Sequence, residues 1–271
     1  MPRLSQLAAI VHAPGVARAA LTMIAVALTS LLASKAGAFE ESHSTTACAR
    51  LGDAASLPLR PGGSPLQADV DGDGRRDNVT VRYARRARAS CGFVLVVKTD
   101  SRVFAVRVPE WYKPPQDLRI RDWPFAEPYL AAAVKLDADR SQLVVARSHG
   151  ASVANVSLYG LVDGKLVLLR FHPRTPDDQL SLFGTVGTGS TDARCIRGGP
   201  LIVMKTGPTD SSGGRWSAQR TKYRLDGAGL WRTSTLTVKG TRRRIDGLVR
   251  RWGINAAAPF TGCVVARGRR L

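Results

Sequence analysis

With 271 residues, 44% hydrophobic and 23% charged, the chain can bury one substantial core or two small ones, and beyond its N-terminus it has no apolar run able to span a bilayer. Its 40 Lys and Arg against 21 Asp and Glu give a formal charge of +19, which directs the surface toward anions. The four cysteines contain no Cys-x-x-Cys, which excludes redox and zinc chemistry built on that motif.

Residues 19–34 carry no charge, follow Arg3 and Arg18, and lead into Ala36-Gly37-Ala38, a small-x-small cleavage pattern. This reads as a secretory signal peptide over 1–38, cleaved after Ala38, so the protein is expected to be secreted and extracellular. The uncharged run is shorter than the roughly 20 residues of a membrane-spanning helix, which argues against a retained anchor. Cleavage removes Arg3, Arg18 and Lys35 and no acid, leaving 37 basic against 21 acidic residues and a charge of +16. Cys48, Cys91, Cys195 and Cys263 all lie in the exported part, and an even count there implies two disulfides. Of the three connectivities, Cys48 with Cys91 and Cys195 with Cys263 is favoured, each bond tying one half of the chain.

Residues 39–66 are rich in Ser, Thr, Ala, Gly and Pro without periodicity and read as a flexible N-terminal extension pinned at Cys48. A single all-β domain is expected over 67–271. Its first unit, about 67–108, has short β-like runs at 67–70, 78–83, 92–98 and 102–108, the size of one up-and-down four-stranded sheet. Residues 110–128 differ in kind, combining Trp111, Tyr112, Trp123 and Phe125 with four prolines. They read as a stiff connector whose aromatics plug the joint between two sheets, with an exposed platform for a sugar or peptide as the alternative. A second unit, about 130–171, repeats the first with runs at 130–136, 142–147, 153–158 and 165–171 and a hairpin turn at Asp163-Gly164. A third and less regular unit, about 182–238, has runs at 182–186, 201–205, 215–225 and 230–238 and a turn at 226–229. Arg242-Arg243-Arg244 and Arg250-Arg251 then flank a short helix or loop.

The densest chemistry lies in 68–83, where Asp69, Asp71 and Asp73 alternate, Asp77 follows, and Gly72 and Gly74 let the chain curl. The front half matches an EF-hand calcium loop, with Arg75 offering its backbone carbonyl at position 7 and Asp77 at position 9. Position 12 is Thr80 instead of a bidentate Glu, and the flanks alternate like strands. The combination resembles the aspartate loop of FG-GAP and VCBS-type repeats, four-stranded β units of integrin-like propellers and of many secreted bacterial proteins. The resemblance implies a structural Ca2+ held by Asp69, Asp71, Asp73, Asp77 and the Arg75 carbonyl, and a small or partial β-propeller-like arrangement; a β-sandwich is the alternative. A weaker copy spans 136–147, where Asp137 and Asp139 remain, Lys135 replaces the first aspartate and Gln142 the last. Those exchanges argue against a cation in the copy.

Signals for catalysis are thin. His149 and Ser152 could pair as base and nucleophile, but the Gly-x-Ser-x-Gly elbow and its strand-to-helix context are missing, so His149 reads better as a turn residue. The glycine-rich stretches at 184–189 and 211–214 precede no predicted helix and read as loops rather than phosphate cradles. The reading is thus a secreted calcium-binding β-repeat protein with a structural or adhesion-type binding role toward an extracellular ligand, favoured over an enzyme. A basic binder of anionic wall polymer or nucleic acid is the first alternative, and a secreted hydrolase the second.

Overall fold

The computed structural model describes residues 64–83, 93–109, 128–149, 153–175, 178–185, 189–253 and 258–268, together with Leu59. The expected signal peptide over 1–38, Cys48, Cys91, the aromatic stretch 110–127 and Ser152 lie outside the described residues.

The protein is all-β, with one helix among the described residues. Strands β1 (Leu66–Ala68), β2 (Asp77–Tyr83), β3 (Phe93–Lys98) and β4 (Val103–Val108) form an antiparallel meander in that order. Strands β5 (Tyr129–Val134), β6 (Gln142–His149), β7 (Val153–Val162) and β8 (Lys165–Leu168) repeat that order. The β7–β8 turn is made by Asp163 and Gly164 with φ of 48° and 71°, the paired left-handed conformations of a two-residue hairpin.

The two meanders pack against each other, β1 lying by β5 and β4 by β8. Val79, Val81, Leu95 and Val97 of the first face Leu130, Ala133, Leu143, Val145 and Tyr159 of the second. The opposite side of the second meander, including Val134, Val144, Ala146, Val156 and Leu158, is buried in another cluster. Burial on both faces explains why β5 and β6 read as unbroken apolar runs instead of alternating. A bulge between Leu130 and Ala132 turns Ala131 and Ala132 toward the same cluster. Tyr159 lies wholly inside the stack, where burial pushes its phenol up to about 12 and keeps it neutral.

The last third continues the sheet of the second meander. Strand β9 (Arg170–His172) is followed by β10 (Leu180–Thr185), which pairs with β7 and leads through β11 (Gly189–Cys195), β12 (Leu201–Pro208) and β13 (Trp216–Asp226) to β14 (Gly229–Gly240). Parallel pairing of β9 with β14 is confined to Gly229–Trp231, so residues 165–172 link β7 to the far end of this half-barrel. Phe171, Leu201, Val203, Tyr223 and Leu230 fill its interior, with Phe171 edge-on to Tyr223 at 5.2 Å. Strand β11 has no counterpart among the sequence-predicted strands, and the expected last strand of the second unit divides at Leu169 into β8 and β9.

Helix α1 (Arg242–Trp252) is the segment left open between helix and loop. Thr241 caps it by accepting the Arg244 N–H, and Gly253 ends it at φ 64°. Ile245 is buried against Trp216 and Ala218 of β13. Strand β15 (Val264–Arg267) returns antiparallel to β5, and Cys195 and Cys263 form the expected disulfide.

Candidate metal centre

Strands β1 and β2 hold the ends of the aspartate loop by pairing Ala68 with Asp77. Between them the polypeptide curls around its own carboxylates. The Asp69 carboxylate accepts the N–H of Gly72 at 2.8 Å and of Gly74 at 3.2 Å, and Asp71 accepts the N–H of Asp73 at 3.2 Å. Asp77 is buried, and its Oδ2 accepts the N–H of Val70 at 2.8 Å and of Asp71 at 3.3 Å. These bonds turn Asp69, Asp71 and Asp77 inward until one oxygen from each lies within 4.8 Å of the others, an arrangement that can hold a metal ion. Asp73 is exposed and accepts the Arg75 N–H at 2.7 Å, while the Arg75 guanidinium pairs with Asp100 at 2.6 Å on the surface.

The surroundings of Asp77 act on its protonation. Burial pushes the Asp77 carboxyl above its ordinary range, and the charges of Asp71 and Asp73 push it further, against the Val70 and Asp71 amides that pull it down. All-oxygen donors of this kind suit a hard cation.

The second loop shows the same hydrogen-bonded curl with fewer carboxylates at its centre. Gln142 begins β6 as Asp77 begins β2, paired with Val134, and its Oε1 accepts the N–H of Leu136 at 2.7 Å, as Asp77 does for Val70. Asp137 accepts the N–H of Asp139 at 2.9 Å, as Asp71 does for Asp73. The difference is at the centre: the Gln142 amide donates to Asp137 Oδ2 at 3.0 Å, so an N–H stands where the first loop has a third carboxylate. The repeat deduced from sequence, including the exchange of Asp77 for Gln142, is therefore a repeat of hydrogen bonds.

The two loops also touch. The Ser141 N–H donates to the Asp69 carbonyl at 2.8 Å, and the Gly198 N–H to the Lys135 carbonyl at 2.9 Å, which sets three turns side by side. Gly72, at φ +86°, lies so close to Arg140 that an added Cβ would stand 2.9 Å from its Cγ, whereas Gly74, at φ +85°, faces open space. Gly74→Ala is expected to cost about 1–2 kcal/mol for the left-handed backbone alone, and Gly72→Ala measurably more, because Arg140 must also move. Equal losses in urea denaturation would show that the loops do not press on each other.

Of the weak catalytic candidates, His149 ends β6 with its backbone opposite Ala154, and Ser152 lies outside the described residues. Residues that sequence reasoning missed are Arg140, which spans from the second loop to the Leu161 carbonyl at 2.9 Å, and Ser141, whose N–H joins the loops; neither carries a motif. Set beside known proteins, the chain matches no family model, no curated protein and no solved structure.

Proposed function

We propose that the chain is a secreted calcium-binding β-repeat protein of FG-GAP/VCBS type, in which Ca2+ at Asp69, Asp71 and Asp77 clips the first meander to the second in support of a binding role outside the cell. Asp73 and the Arg75 carbonyl complete the ligand set that the resemblance implies. The observation that carries this reading is the contrast between the loops: the copy that keeps only one of the three converging carboxylates, Asp137, satisfies it with an amide, while the copy that keeps all three gathers their charges around one point. A cation is the partner that stabilises the latter. The ion has a structural task here, because the loop sits at the joint between two sheets. No helix among the described residues is long and apolar enough to cross a membrane.

Extracellular sites of this class bind at roughly 0.1–1 mM. At a free concentration ten times the dissociation constant, the folded state gains RT ln 11, about 1.4 kcal/mol. For a domain of this size that raises the melting temperature by about 4 °C. Calorimetry with 1 mM calcium and with chelator is expected to show that shift, and Asp71→Ala to abolish it; identical melts in the two conditions would overturn the reading.

A further inference from the structure

The face of the long β13–β14 hairpin that bears α1 is strongly basic. Residues 215–253 contain eleven Lys and Arg against Asp226 and Asp246, and among the described residues none of those cations forms an ion pair. Alternation along β13 sets Arg220, Lys222 and Arg224 on one side of the sheet. Trp231 pairs with Arg224 across the hairpin and stacks on His172 of β9, the rings 4.0 Å apart at 11°. Trp231 remains 50% exposed, so this stacked pair is a platform open to solvent. Toward the other end of the same side, Arg220 lies over the ring of Trp252 at 5.3 Å and Arg242 over that of Trp216 at 5.1 Å.

The helix adds to the field instead of relieving it. Its first turn holds Arg242, Arg243 and Arg244 and no acid, at the end where the helix dipole is already positive. These arginines are exposed, as are Arg250 and Arg251. Like charges gathered this way destabilise the folded chain unless an anion settles on them. The stretch from Trp216 to Arg224 is roughly 26 Å long at the rise of a β-strand, enough for about 4–8 nucleotides of a single strand.

We propose that this face binds single-stranded nucleic acid, with phosphates on the arginines of α1 and β13 and a base stacked on Trp231. Cations alone would serve any polyanion; the open aromatic platform among them selects a polymer with flat rings. The proposal is independent of the calcium reading.

The test is fluorescence anisotropy of a labelled 12-nucleotide oligothymidine with the purified protein at rising salt. Four neutralised phosphates give a slope of log K against log salt of about −3. Trp231→Ala is expected to weaken binding about tenfold with an unchanged slope, and Trp231→Phe to restore most of it. Arg243→Ala with Arg244→Ala should instead flatten the slope by about 1. All of these side chains are exposed, so the variants stay folded with a cooperative melt, and Asp71→Ala keeps the parent affinity. No binding at 50 mM salt would overturn the proposal. So would inorganic polyphosphate competing as well as the oligonucleotide while Trp231→Ala binds normally, which would assign the face to an anionic wall polymer.

Discussion

Replacing Cys195 and Cys263 together by alanine is expected to lower the unfolding free energy by about 4 kcal/mol in urea denaturation. The two are 68 residues apart, and closing a loop of that length removes about 4 kcal/mol of chain entropy from the unfolded state. Cys195 ends β11 and Cys263 precedes β15, so the bond ties the C-terminal segment across the half-barrel. Around it the Cys195 N–H donates to Thr261, the Lys135 N–H to Cys263 and the Phe260 N–H to Ala193, and Phe260 closes over the core at 1% exposure. Gly262 packs against the Cys195 carbonyl at φ +100°, leaving no room for a side chain. A loss under about 1 kcal/mol would mean that these contacts, not the bond, hold the segment.

Asp77→Ala and Asp77→Asn are expected to separate the two tasks of that side chain. Alanine leaves the buried N–H of Val70 and the part-buried N–H of Asp71 without their charged acceptor and should cost about 3 kcal/mol. Asparagine keeps an acceptor oxygen, as Gln142 does for Leu136, and in chelator should stay within about 1 kcal/mol of the parent. It should nevertheless lose the calcium response. Without metal, the folded state of the parent holds the Asp77 proton more tightly than the unfolded chain, whose value is near 3.8. The parent therefore loses stability as pH rises from there through the raised folded value, and Asp77→Asn should flatten that slope. Equal destabilisation by both variants would remove the parallel between the loops.

The part of this architecture written locally was legible in the sequence. Short β-like runs between turn signals marked the two meanders, Asp163-Gly164 marked its hairpin, and the spacing of the aspartates marked both loops, because turn chemistry depends on a few adjacent residues. Strand β11 was not legible: Gly-Ser-Thr-Asp-Ala-Arg-Cys has no apolar alternation, and it is ordered by pairing with β10 and β12. The joining of the second and third groups into one sheet rests on Leu180 meeting Val156 and on β9 returning to β14, long-range pairings without a local signal. At the site, sequence spacing named the aspartates but not which would meet. Asp69, Asp71 and Asp77 converge, while Asp73 accepts the Arg75 amide, a choice made by backbone hydrogen bonds inside the curl.

Among the described residues, β14 beyond Trp231 has a neighbour on one side only, and the residues from Arg232 to Thr237 are exposed on both faces. Thr233, Ser234, Thr235, Leu236 and Thr237 form a bare template that a second copy could extend, strand against strand. What keeps two such rims apart is their shared sign: Arg232 and Lys239 on the strand and the arginines of α1 beside it repel their own image at low ionic strength. The charge crowded onto this hairpin is thus also a guard against self-association.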